Sequence, residues 1–313
     1  MATRRVGRAR VAACAAATAL ILATAAAVPA PADHQDADIG WPQLLPPGAS
    51  PTAAQPHPVP RCTRASLRCV DRLVRRLRAQ WRAYDRACDH RAVISYSYLQ
   101  ITLGLREDLA GPRPELVRYR RWMTYLITTF SNRYFEAFRD YEAGRPVADA
   151  WRITFETAAE GDANAGQDVL LFSNAHVQHD LPFALAEMGL RTRRGVSRKR
   201  DHDAVNTINT RVFDPIQDYI AAHYDPSFSA IDAKPSPLEE VGTLELVKSW
   251  RETAWRNAER LLNASSDAER ASVADSIDAT SRAWAELISS GGMPGHREAR
   301  DAWCREHHVS GAR

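Results

Sequence analysis

Residues 67–88 read LRCVDRLVRRLRAQWRAYDRAC, and the fold turns on how this stretch is interpreted. Leu67, Val70, Leu73, Val74, Leu77, Trp81, Tyr84 and Cys88 recur at three- and four-residue spacing, which gathers them on one face of a helix and leaves the arginines on the other. The same period continues downstream. Ala92 to Leu109 predicts a second helix, and Gly111-Pro112-Arg113-Pro114 breaks it. A third follows, in which Leu116, Trp122, Met123, Leu126, Ile127, Phe130, Tyr134, Phe138 and Tyr141 make an aromatic-rich face that ends near Gly144. Further helices are predicted over Val147 to Ala159, Gly166 to Met188 with Gly189 as its stop, Asp201 to Tyr224 with a kink at Pro215, Leu238 to Leu262, and Ala268 to Ser289. Alternation at period two, the mark of a half-buried strand, is missing. The predicted class is all-α: a single multi-helix bundle over residues 62–313, about 250 residues, enough to bury a shared core.

The two ends are different. Arg4, Arg5, Arg8 and Arg10 precede an Ala/Leu/Ile/Thr run from Val11 to Val28 that is short and alanine-rich for a membrane span, and Ala30-Pro31-Ala32 offers a small-residue cleavage pattern. Residues 1–32 therefore predict a cleaved signal peptide and export to the extracellular side, with no transmembrane span after its removal. Residues 33–61 carry Pro42, Pro46, Pro47, Pro51, Pro56, Pro58 and Pro60 and predict an extended arm. Pro235-Ser236-Pro237 predicts a linker within the domain.

Charge excludes one class of partner. The sequence holds 41 basic and 38 acidic residues; removing the four leader arginines leaves 37 against 38, a net charge near −1. Nucleic-acid binding needs a basic excess that releases counterions, and the one dense cluster, Arg191 to Arg200, falls in a predicted connection. Cys62, Cys69, Cys88 and Cys304 remain after processing, an even number that predicts two disulfides in an exported chain. Three pairings are open; the favoured one joins Cys62 to Cys69 and Cys88 to Cys304.

Chemistry concentrates at residues 173–182, SNAHVQHDLP. At about 100° per residue Ser173, His176, His179 and Asp180 fall within an arc of roughly 120°. Two imidazoles and a carboxylate at i, i+3 and i+4 are the donor types that hold zinc or another divalent metal, so His176, His179 and Asp180 are candidate metal ligands. The competing interpretation has the same groups hydrogen-bonded within the core, and a third has them in metal-free acid/base work. Pro182 cannot donate to the carbonyl of Gln178, which predicts a kink beside the cluster. Asp201 or Asp203 can cap the next helix; Asp203 and Asn206, at i and i+3, can instead supply oxygen ligands or orient the histidines, and with Asn174 they form the candidate catalytic set. Tyr98, Thr102, Arg133 and Tyr134 can complete a polar pocket.

These residues also resemble a known set. Tyr98-Leu99-x-Ile-Thr102, Asn132-Arg133-Tyr134-Phe135, Ala150-Trp151-Arg152-x-x-Phe155, Asn174-Ala175-His176-x-x-His179-Asp180-Leu181-Pro182 and Asp201-x-Asp203-x-Val205-Asn206 are similar to the motifs of the domain-of-unknown-function family 5995, uncharacterised and mainly actinomycete-type bacterial proteins, over about residues 70–225. The resemblance implies a helical fold and supplies no reaction, cofactor or catalytic residue. It also implies that His202, where an aromatic residue is common, is a poor ligand. A looser similarity of architecture and ligand type links the chain to zinc-dependent phospholipases C and nucleases. Two functions follow as expectations: a metal-dependent hydrolase, or a non-catalytic module that binds a small or lipid-like molecule among the aromatic helix faces.

Overall fold

The computed structural model describes residues 40–51, 66–111, 116–230, 242–291 and 295–307. The expected signal peptide, the Pro235-Ser236-Pro237 linker and Cys62 lie outside the described residues. The elements in chain order are α1 (Trp41–Leu44), α2 (Leu67–Arg86), α3 (Arg91–Ala110), α4 (Arg120–Glu142), α5 (Asp149–Glu160), α6 (Ala165–Ser173), a π-helical turn (Asn174–Asp180), α7 (Leu181–Met188), α8 (Lys199–His223), α9 (Ser227–Ala230), α10 (Thr243–Asn263), α11 (Asp267–Ser289) and α12 (His296–His307). The fold is all-α, one multi-helix bundle, and the described residues contain no strand beyond an isolated bridge between Arg191 and Ser197.

The amphipathic stripe of the opening stretch does what its spacing dictates: Val70, Leu73, Val74 and Leu77 are buried on α2 and face α3 and α4. α3 is apolar almost all round because it is covered on both sides, by α2 and by α8. Its approach to α8 depends on Gly104, where a Cβ would stand 3.0 Å from Ile208 and 3.1 Å from Val212. Gly189 ends α7 at φ 74°, a conformation that side chains resist. Pro215 sits within α8.

Three details differ from the sequence expectations. Part of the expected extended arm is helical: Trp41–Leu44 makes one turn with Pro42 in its first turn, where a missing N–H is tolerated. That turn lies on α10, with Trp41 Nε1 donating to Glu245 at 3.0 Å and Arg256 to the carbonyl of Pro42 at 3.1 Å. Secondly, the single helix expected over Gly166 to Met188 is three segments. Thirdly, neither Asp201 nor Asp203 caps α8, which begins two residues earlier; Asp201 is buried and accepts the backbone N–H groups of Arg118 and Tyr119 at the start of α4.

Cys88 and Cys304 are joined, as expected, with Cα atoms 5.8 Å apart. Cys69 is also disulfide-bonded. α12 is further held by Arg300, which is buried and reaches Asp168 at 2.9 Å and Asp225 at 3.4 Å, and by His296, 3.1 Å from Asp225.

Candidate functional site

The predicted kink at Pro182 is replaced by a wider turn before it. Over Asn174–Asp180 the chain adopts a π-helix, the N–H of Leu181 bonding back to the carbonyl of His176, and Pro182 then falls in the first turn of α7. The missing donor of Pro182 thus falls where a first helical turn tolerates it. The π-turn sends His176 inward between α3 and α4, and His179 outward to α11.

Around His176 every polar atom has a directed partner. Its Nδ1 donates to Asp180 Oδ2 at 3.2 Å and its Nε2 accepts from the Tyr98 hydroxyl at 2.9 Å; the Tyr98 oxygen accepts from Ser131 at 2.5 Å. Trp151 Nε1 donates to the same Asp180 oxygen at 3.2 Å. Phe130 stacks on the imidazole with ring centroids 3.5 Å apart. Burial pulls His176 below its ordinary pKa against the hydrogen bond it donates to Asp180, and burial raises that of Tyr98, so the imidazole is neutral and the phenol keeps its proton.

His179 is the charged member. It donates to Asp180 Oδ1 at 2.8 Å and pairs with Asp278 at 2.8 Å. Burial opposes its charge, but the hydrogen bonds to Asp180 and Asp278 outweigh it and lift its pKa from 6.5 to about 9. Burial likewise opposes ionisation of Asp180, yet His176 and His179 hold its pKa below the ordinary value.

This arrangement overturns the metal-dependent hydrolase and its zinc or other divalent cofactor. The structure does bring His176, His179 and Asp180 together, but all four ring nitrogens are committed to Asp180, Tyr98 and Asp278. Among the described residues no group of three or more His, Cys, Asp or Glu side chains could hold a metal ion. Nor does His176 have a nitrogen free for proton transfer with a bound molecule. The outcome is the hydrogen-bonded core cluster that the sequence left as the competing interpretation.

Of the candidate catalytic residues, Asp203 and Asn206 share α8, while Asn174 is on the π-turn and engaged with α11. Asn174 is buried, donates to the carbonyl of Ser281 at 2.7 Å and accepts from Gln178 at 2.9 Å. Asn206 accepts from Arg251 Nε at 2.6 Å. Asp203 does orient a histidine, though not the expected one: its Oδ1 lies 3.0 Å from Nδ1 of His202 and 2.5 Å from Lys199. Burial would raise Asp203, but His202 and Lys199 bring its pKa down to about 2.

Beside the His176 cluster lies a cavity of about 80 Å³. Ile101 and Leu105 of α3, Met123, Leu126, Ile127 and Phe130 of α4, Val205 of α8 and Val247 of α10 give it apolar walls, with Tyr98, Thr102, His176, His202, Asn209 and Arg251 also at its surface. Tyr98 and Thr102 thus reach a pocket as expected, whereas Arg133 pairs with Glu187 at the surface and Tyr134 bonds Gln80. His202, set aside by the family resemblance, lines the cavity and is fully buried. Asn209 had no expected role; the signal was its place at i+7 from His202 and i+4 from Val205, polar on an otherwise apolar stripe.

The model of a family of unknown function, DUF5995, matches residues 70–291, and the chain belongs to that family. The match runs past residue 225, where the recognised motifs end. Neither the curated proteins nor the solved structures contain a match.

Proposed function

We propose that this member of an uncharacterised family binds one small, largely apolar molecule in the cavity between α3, α4 and α8. The observation that carries this reading is the cavity itself: apolar walls from several helices beside a hydrogen-bonded cluster that rigidifies one side of it. Its size sets the occupant. About 80 Å³ is near half of a cavity of about 150 Å³ that accepts benzene, so it encloses on the order of three heavy atoms, and a short chain of about five reaches on toward the partly exposed Ile101, Phe130 and Val247. A ligand this small binds at roughly millimolar Kd.

The test is titration of the protein with n-pentane, followed by the methyl resonances of Ile101, Ile127 and Val205. Those signals are expected to shift together, and Val205→Phe, which fills the space from α8, is expected to weaken binding at least about tenfold while changing stability by no more than about 1.5 kcal/mol. Undiminished binding in that variant would place the ligand elsewhere.

We further propose that residues 1–32 are a signal peptide, residues 33–61 an arm and residues 62–313 the exported domain. The arginine-led apolar segment supports this, and so does the Cys88–Cys304 disulfide, a bond that persists in oxidising compartments. Protein recovered from the growth medium is expected to begin at Asp33 by intact mass. Full-length chain retained inside the cells would refute export.

A further inference from the structure

The polar atoms around the cavity are unevenly satisfied. The Tyr98 and His176 side is closed, each hydrogen bond leading to the next. On the α8 side two buried atoms have no partner: Nε2 of His202 and Oδ1 of Asn209. Both residues line the cavity, and they stand two helical turns apart on one stripe of α8 with Val205 between them. A buried polar atom without a partner is costly, and few remain in a folded protein unless something else meets them.

The direction of the missing bond follows from the one His202 does make. Asp203 is ionised and can only accept, so the proton of His202 is on Nδ1, 3.0 Å from the Asp203 oxygen. Nε2 therefore presents a lone pair. Asn209 Oδ1 is also an acceptor. The ring of His202 is held in place by Trp255, centroids 5.2 Å apart, and its backbone carbonyl by Arg251. Arg251 is the cation at the cavity, but its Nε and Nη2 are used on Asn206 and on that carbonyl. The two unpartnered buried atoms on this wall both ask for a donor.

We infer that the cavity selects an apolar molecule bearing a hydroxyl group, whose O–H donates to Nε2 of His202. This rests on the binding reading proposed above and names its ligand class. The hydroxyl supplies the one bond His202 lacks, and the carbon skeleton lies against Leu126, Ile127 and Val205. His202 is suited to the role over a wide pH range, because burial, with the nearby charges of Arg251 and Lys199, lowers its pKa to about 4 against the pull of Asp203. At neutral pH the acceptor is permanent.

The test compares probes of equal heavy-atom count on the full chain labelled with 15N-histidine: 1-butanol, its isomer methyl propyl ether, and n-pentane, with butyrate as the anionic control. The expected result is that 1-butanol binds at least about tenfold tighter than the ether or the alkane, since only it can donate. The 15N resonance of His202 Nε2 should move on saturation with 1-butanol and stay still with the ether. In His202→Phe, which keeps a ring against Trp255, the three neutral probes should bind alike. Should that variant fail to fold, the ligand series and the Nε2 resonance in the unaltered protein decide alone. Equal binding of the three with a still Nε2 resonance would overturn the hydroxyl preference, a water serving His202 instead, and leave the apolar cavity standing. Butyrate binding tightest would overturn it in favour of Arg251. No probe binding at all would remove the binding reading, and this inference with it.

Discussion

Asp180→Asn is expected to destabilise the protein by about 3–5 kcal/mol, the range for removing one partner of a buried charge pair. The substitution keeps the shape and changes only charge and donor pattern, so the loss reports electrostatics and not a cavity. Three donors converge on this carboxylate, from His176, His179 and Trp151, and it is itself buried. An amide offers one acceptor and sets its own N–H₂ against an imidazole or indole N–H. Dependence on pH supplies a second readout. His179 has a folded pKa of about 9, above its unfolded value near 6.5, so its contribution is fully present below pH 6.5 and is lost as pH rises through 9. A shift of that size corresponds to roughly 3 kcal/mol. Urea unfolding at pH 6 and pH 9.5 should show the unaltered protein weakening across this window and Asp180→Asn weakening less, since Asp278 still pairs with His179. A cost below about 1 kcal/mol with the window intact would mean that Asp180 is not the hub of the cluster.

The same cluster shows what could be seen in the sequence. The helical faces were legible because burial and period are linked directly: Leu73, Val74 and Leu77 must share a side, and they do. The convergence of His176, His179 and Asp180 was legible for the same reason. Their chemistry was not, because the deciding partners come from elsewhere in the chain. Tyr98 is 78 residues before His176, and Asp278 arrives from α11, so nothing within SNAHVQHDLP states that the ring nitrogens are already occupied. The π-turn was hidden too. Pro182 announces a local defect in helical bonding, but whether the chain bends or widens depends on what packs on either side. His202 was missed through its neighbour: Asp203 looked like the functional residue, and in the structure it is the group that sets the tautomer of His202. The cavity is a property of several helices together, and spacing within α8 alone does not state that His202, Val205 and Asn209 face a common space.

Removing the cross-link with Cys88→Ser/Cys304→Ser is expected to cost about 5 kcal/mol by the chain-entropy relation, because the bond closes a loop with a sequence separation of 216. The loss should fall on stability without altering the cavity, since Cys88 and Cys304 belong to the smaller core formed by Ala92, Val93, Val169, Ile216, Ile220 and Phe228. Two features shape the outcome. Cys88 holds φ at +49°, a left-handed conformation that a serine bears no better, so the substitution leaves that local cost in place. α12 keeps other anchors, Arg300 to Asp168 and Asp225, His90 to Asp301 at 2.9 Å, and Trp303 to the carbonyl of Ala222 at 3.2 Å, which are expected to hold it near its native position in the variant. The entropic contribution acts on the unfolded chain, so it is lost whether or not α12 stays docked. For a domain of this size each kcal/mol moves the melting temperature by about 2–4 °C, giving a fall of roughly 10–20 °C. Thermal unfolding of the double variant should show this fall, and reduction of the unaltered protein, which also opens the disulfide at Cys69, should lower the melting temperature at least as far. A fall of a few degrees in both would show that the buried Arg300 network, and not the disulfide, secures the C-terminal helix.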